Sequence, residues 1–192
     1  VDEALGKSGI MKTDLTAIAF TRGPGLMGSL LVGVSFAKGM SLGLKVPLIE
    51  VNHMQAHVLA HFIEEPVPRF PFLCLTVSGG HTQIVLVKDY LEMNVIGETQ
   101  DDAVGEAFDK AAKILGLPYP GGPLIDHYAK KGNAKAFRFP ETIMPGLDFS
   151  FSGIKTAFLY FLRDEKQKNP NFVDENLNDV CASLQQQLVN ML

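Results

Sequence analysis

A mostly parallel α/β fold arranged in two lobes is the class this sequence predicts, and three observations predict it. The first third alternates apolar strand candidates with helical patterns, the strand–helix–strand order that gives parallel sheets. The segment EEPVPRFP (residues 64–71) carries three prolines in eight residues, which no helix interior or central strand tolerates. Beyond it, two β-rich runs flank the tetrapeptide Ser78-Gly79-Gly80-His81, and further helical patterns follow. The lobes are therefore expected at residues 1–66 and 67–192.

The elements follow in order. Residues 1–7 read as the last turns of a helix, with Gly9 near its end. Thr16 to Phe20 is a short apolar strand, and the glycine-rich loop TRGPGLMGS comes next. From Gly28 to Leu44 the apolar positions recur at helical spacing. Val46 to Val51 is a strand and His53 to Phe62 a helix. In the second lobe, Phe72 to Val77 and Thr82 to Val87 read as a hairpin, with Met93 to Glu98 as a third strand. Ala103 to Leu115 is a helix, apolar at Val104, Ala107, Phe108, Ala111 and Leu115. GLPYPGGP is expected to be a rigid loop and LIDHYAKKG a short helix. FPETIMPGLDFSFSG is irregular, Ser152 to Arg163 is helical, and DEKQKNPN is a polar turn. Near the end, Leu177, Val180, Cys181, Leu184, Leu188 and Met191 form an amphipathic stripe. The stripe runs to Leu192 without a cap, which leaves two readings open: a natural terminal helix, or a longer protein cut at both ends.

Composition narrows the function classes. The 192 residues are 46% hydrophobic and 20% charged, as in an ordinary cored protein, with a formal net charge of −4. There is no run of basic residues. An autonomous nucleic-acid binder driven by phosphate contacts is thereby disfavoured, and room is left only for a local basic patch. The two cysteines, Cys74 and Cys181, sit in apolar surroundings outside any Cys-x-x-Cys pair, which fits a reducing compartment. No apolar stretch is expected to reach the ~18 residues that a membrane span needs. The opening VDEALGKSGI lacks a signal-peptide pattern, so a cytoplasmic location is expected.

Several residues could carry chemistry. His53 and His57 stand four apart, on one face of a helix, where two imidazoles can share a divalent cation. Taken alone, the spacing is more often that of a helix face with structural histidines. Met54 stands where a zinc protease needs its glutamate base. Gly79 and Gly80 leave backbone amides unobstructed for an anion, although Gly-Gly is also a common hairpin turn. Gly23-Pro24-Gly25, just before a helix start, reads either as a second anion site or as a tight strand-to-helix turn. Asp101 and Asp102 suit the cap of the helix that begins at residue 103, and Glu106 and Lys110 an i, i+4 pair. Asp109 lies off the apolar stripe, so it can face a cleft and accept hydrogen bonds from ribose hydroxyls. Tyr119-Pro120-Gly121-Gly122-Pro123 is stiff enough for backbone to approach a flat ligand.

Taken together, four segments resemble a known family in order and spacing. They are GPGLMGSLLVGVSFAKGMSLGLKVPLIEVNHMQAHVLAHF, LTVSGGHTQIVLV, GETQDDAVGEAFDKAAKILGLPYPGGP and PGLDFSFSGIKTAF. The chain closely resembles the tRNA N6-adenosine threonylcarbamoyltransferase (TsaD) family, formerly described as O-sialoglycoprotein endopeptidase. That resemblance implies the actin-like ATPase fold of the ribonuclease H-like class, two α/β lobes around a ligand cleft. It implies transfer of a threonylcarbamoyl group from threonylcarbamoyl-adenylate to N6 of the adenosine beside the anticodon of ANN-decoding tRNAs. One divalent metal, iron or zinc, would be held by His53 and His57 with an Asp nearer the C-terminus of the family pattern. The adenylate would be bound by Thr76, Val77, Ser78, Gly79 and Gly80, by Asp109 and Gly122, and in many members by Asp126. The implied partners are tRNA, a paralogous scaffold subunit and an ATPase subunit, with no membrane.

The family's opening phosphate loop, its later Asn motif and its metal-binding Asp have no counterpart here. The chain is therefore expected to be truncated at both ends and inactive by itself. His61 matches no family ligand and reads as structural. No residue is assigned as a general base. Three other readings stand beside the transferase: an ATP-handling phosphotransferase of the same fold, a metal-dependent glycoprotease, and a non-catalytic scaffold like the family's paralogue. His53 and His57 argue against the first and last, Met54 against the protease.

Overall fold

The alternating segments at the start of the chain form a βαβ unit in the computed structural model, which describes residues 1–192. The chain divides into two units, Val1–Arg69 and Phe70–Leu192. In the first, helix α1 (Asp2–Ser8) ends where Gly9 turns left-handed. Strand β1 (Ile18–Gly23), helix α2 (Met27–Leu44) and strand β2 (Leu48–Asn52) follow, then α3 (His53–Leu59) with a single 3-10 turn at Ala60–Phe62. β1 and β2 pair in parallel from Ile18 opposite Leu48 to Gly23 opposite Asn52. A parallel pair needs a crossover, and α2 supplies it by packing on β1 and β2.

This unit buries little. Ala37 and Val58 are its only buried residues. Leu31, Val32, Phe36 and Leu42 of α2 remain exposed. By length and composition α2 is also apolar enough to cross a membrane, which corrects the expectation that no segment is. Lys38 and the interspersed Gly and Ser residues hide this in a search for an unbroken apolar run.

The second unit opens with an antiparallel sheet in the order β3 (Phe72–Val77), β4 (Thr82–Asp89), β5 (Glu92–Glu98). Hairpin register runs from Phe72 opposite Val87 to Val77 opposite Thr82, so Ser78 to His81 form the turn. Helices α4 (Val104–Leu115), α5 (Gly121–Ala129), α6 (Ser152–Lys168) and α7 (Phe172–Asn190) build the core. The terminal stripe is its centre, with Val180, Cys181, Leu184 and Leu188 all buried beside Phe151, Phe158 and Ile125. Desolvation there pushes the Cys181 thiol up to about 11, so it is an inert core residue.

Three local expectations are corrected. Gly121-Gly122-Pro123 is the first turn of α5, not a loop, because Pro is well suited to a helix start. Helix α6 continues to Lys168, through most of the expected polar turn; its residues there are good helix formers that need no burial. Asp101 does not cap α4. Its carboxylate accepts from Ser150 Oγ and Ser152 Oγ, both at 2.6 Å, and from the Phe151 and Ser152 amides at 2.8 and 3.2 Å, so it covers the start of α6. Burial alone would raise its pKa, but the hydroxyl and amide donors outweigh that and hold it below the usual carboxylate value. Asp102 instead takes Lys110 Nζ at 2.6 Å.

Candidate functional site

The expected site residues fall in both units. In the first, β2 ends at Asn52, whose side chain accepts from the Met54 and Gln55 amides at 2.9 and 3.1 Å. That cap starts α3 at His53, so the first histidine stands at the carboxyl end of a parallel strand, where α/β sheets present ligand groups. Register places Gly23, the start of the Gly-Pro-Gly loop, opposite Asn52. Gly23 has φ 146, a conformation side chains other than hydrogen disfavour. The histidines and the glycine loop thus share one end of the small sheet.

The His53 and His57 side chains are exposed and meet as the spacing requires. Their Nε2 atoms are 3.2 Å apart and their ring centroids 4.5 Å. Two imidazole nitrogens on one tetrahedral ion, each at 2.0–2.1 Å from the metal, would stand about 3.3–3.4 Å apart. The pair therefore fits a shared metal ion, and equally fits a hydrogen bond between one protonated and one free nitrogen. No group of three His, Cys, Asp or Glu side chains gathers at any point of the chain, so a third protein ligand does not come from these residues. His61 lies in the 3-10 turn that follows α3.

In the second unit most of the remaining candidates are linked along α4. At the hairpin turn Ser78 closes the loop on itself: its Oγ accepts from the Gly80 amide at 3.3 Å and the His81 amide at 3.0 Å. Of the amides expected to converge on an anion, that of Gly80 is thus taken by a serine oxygen, together with that of His81, while the Ser78 amide donates to His81 O. A Cβ on Gly79 or Gly80 would meet nothing within 4 Å, so the fold places no demand on either glycine. Val77 is exposed at the strand end, whereas Thr76 is buried, its hydroxyl 4.0 Å from Cys74 Sγ.

Helix α4 starts directly against this turn. The Val104 amide donates to the buried Thr82 Oγ1 at 2.9 Å. A Cβ on Gly105 would come within 2.6 Å of Ser78 O and 2.9 Å of Gly79 N. One helical turn later Asp109 Oδ1 accepts from the Gly121 amide at 2.8 Å and the Gly122 amide at 3.4 Å, tying α4 to the start of α5. Asp109 also lines a cleft of about 330 Å³ with Glu106, Lys110, Lys113 and Tyr119. Asp126, one turn beyond Gly122, pairs with Lys130 Nζ at 2.6 Å and takes Gln185 Nε2 at 3.4 Å. Those two donors, Lys130 first, hold its pKa below the usual value.

Thr82 and Gly105 escaped sequence reasoning, and Gly121 was named only as part of the stiff loop 119–123, not for its packing. Gly121, rather than Gly122, is the close-packed glycine, since a Cβ on it would collide with Ala112 Cβ while one on Gly122 finds only Phe108 Cβ at 3.8 Å. A glycine in the first turn of an otherwise strong helix former, as at Gly105, is the signal that could have marked the docking point.

Comparison with known proteins shows the family. A curated tRNA N6-adenosine threonylcarbamoyltransferase from Christiangramia forsetii is 66% identical over all of this chain and 57% of its own length. One from Cytophaga hutchinsonii is 62% identical over all of the chain and 56% of its own length. The chain thus spans a little over half the length of these relatives. A solved structure from Pseudomonas aeruginosa, described as similar to peptidase YEAZ, superposes with a TM-score of 0.36 at 19% identity. It covers 49% of this chain and 44% of that one. The family model described as TsaD, tRNA N6-adenosine threonylcarbamoyltransferase, matches residues 1–192, and the chain belongs to that family.

Proposed function

We propose that the protein carrying this sequence transfers a threonylcarbamoyl group from threonylcarbamoyl-adenylate to N6 of the adenosine beside the anticodon of ANN-decoding tRNAs. The observation that carries the reading is the family match along the whole chain, with His53 and His57 at metal-sharing distance inside it. The finer fold goes with it: two actin-like lobes, to which the βαβ unit and the three-stranded antiparallel sheet would contribute. The location would be cytoplasmic, and the partners a paralogous scaffold subunit and an ATPase subunit.

The donor is a mixed anhydride and already activated, so no protein nucleophile is required. The adenosine N6 attacks the carbonyl carbon, the bond to the phosphate oxygen breaks, AMP leaves with the electron pair, and the proton lost from N6 passes to solvent. Ser78 Oγ stands where an oxygen of the donor's phosphate would sit between the Gly80 and His81 amides, and rotation of that hydroxyl would hand both amides to the anion. Asp109, whose Oδ1 is fixed by the α5 amides, lines the cleft, and its carboxylate would accept a hydrogen bond from a ribose hydroxyl there. His53 and His57 would hold the metal, iron or zinc, which supplies Lewis-acid polarisation and orientation of the donor.

The test is reconstitution of the full-length protein with threonylcarbamoyl-adenylate, tRNA and the partner proteins, with modified nucleoside measured by mass spectrometry. Modified adenosine should form, and His53→Ala should lose both the product and about one equivalent of bound metal. Absence of product together with digestion of a glycoprotein substrate would overturn the reading in favour of a protease.

A further inference from the structure

We infer that the loop running from the end of α5, Lys130 to Arg138, is a docking surface for the phosphate backbone of RNA; this rests on the proposed function, which supplies an RNA substrate. In a chain of net charge −4, four of the 17 Lys and Arg residues fall within these nine positions, and no Asp or Glu occurs from His127 to Pro140. Lys130, Lys131, Lys135 and Arg138 are all exposed. Lys130 pairs with Asp126; the other three have no carboxylate partner.

The loop is fixed in place between its cations. Gly132 lies so close to the Asn178 carbonyl that no Cβ fits. The Asn133 amide donates to Asp179 Oδ1 at 2.8 Å. Ser183 Oγ accepts from the Phe137 amide at 3.1 Å and donates to Asn133 O at 3.2 Å. Phe137 packs on Phe161 and Phe172, with centroids 5.2 and 5.5 Å apart, and Phe139 on Phe158 at 5.4 Å. Anchors and cations therefore alternate along the chain. A loop already ordered in this way loses little conformational entropy when it binds.

The same alternation selects the partner. A protein interface needs aromatic or aliphatic anchors in its buried centre. Here Phe137 and Phe139 are spent on the core, and what remains outward is charge. Isolated cations on a rigid frame match phosphate contacts, which position a nucleic acid without reading its sequence.

The experiment is the triple variant Lys131→Gln, Lys135→Gln, Arg138→Gln in the full-length protein. Binding of an ANN-decoding tRNA is followed by fluorescence anisotropy across a salt series. The variant should bind about tenfold or more weakly at low salt, and its log Kd against log salt slope should fall by roughly 2–3. Adenine-nucleotide affinity and melting temperature should stay as in the parent. An unchanged affinity and slope, with the parent binding tRNA well, would overturn the loop assignment and leave the proposed function standing. An unchanged tRNA affinity with loss of partner-protein capture would reassign the loop to a protein contact. A parent that binds no tRNA would overturn both.

Discussion

The two units of this chain stand at opposite ends of the relation between site and core. Val1–Arg69 presents the His53–His57 pair on a two-stranded parallel sheet and buries only Ala37 and Val58. Phe70–Leu192 holds the Ser78 turn on its antiparallel sheet and Asp109 and Gly122 on the helices α4 and α5, around a core with Phe151, Phe158, Leu184 and Leu188 fully enclosed. Parallel sheets are ordinarily covered on both faces, and two strands alone are marginal in water. An open apolar groove of about 750 Å³ between α1, β1 and α2 makes the same point. The contrast teaches that the histidines are positioned by local devices, the Asn52 cap and the strand–helix junction. The second unit's groups are instead positioned by tertiary packing.

The largest test of that contrast separates the units. Residues 70–192 expressed alone should unfold in one cooperative transition with strong hydrogen-exchange protection in α7, whereas residues 1–69 alone should show no cooperative transition by circular dichroism. A cooperative melt from the first unit would break the comparison. Next in size is a matched pair of truncations read by denaturant unfolding. Phe158→Ala should cost about 3–5 kcal/mol through lost burial and the cavity left behind. Leu31→Ala, at a side chain 60% exposed, should change stability by no more than about 0.5 kcal/mol.

The smallest effect concerns polar clamps. Asp101→Ala should cost about 1–2 kcal/mol by uncovering the start of α6. Arg22→Ala, which removes the exposed pair with Glu50 at 3.0 Å, should cost less than about 0.5 kcal/mol. Because the Asp101 carboxyl is held below its usual 3.8 in the folded state, its contribution is complete above that value. It is lost as pH falls through the lowered one. An acid-unfolding series should therefore bring Asp101→Ala and parent together at low pH.

Much of the fold was legible because its signals are local. Apolar periodicity placed α2, α4 and α7, and the two β-rich runs around Ser78 to His81 fixed the hairpin. The histidine pair was legible for the same reason, since four residues on a helix is a short-range relation. What escaped depends on residues far apart in the chain. The Asp101 carboxylate reaches Ser150 and Ser152 some fifty positions on, Thr82 meets Val104, and Asp109 clasps Gly121 and Gly122. No spacing rule announces such partners. The packing role of Gly121 is of the same kind, since the collision that demands a glycine there comes from Ala112, on another helix.

Six glycines of the second unit also separate into two kinds under mutation and descent. At Gly97, Gly105, Gly121 and Gly132 a methyl group would strike neighbouring backbone or a packed side chain, so the demands of folding alone keep these positions empty. Gly79 and Gly80 are under no such demand. Only a molecule that presses against the bare turn would hold them, and a lineage that no longer met that molecule would be free to fill both.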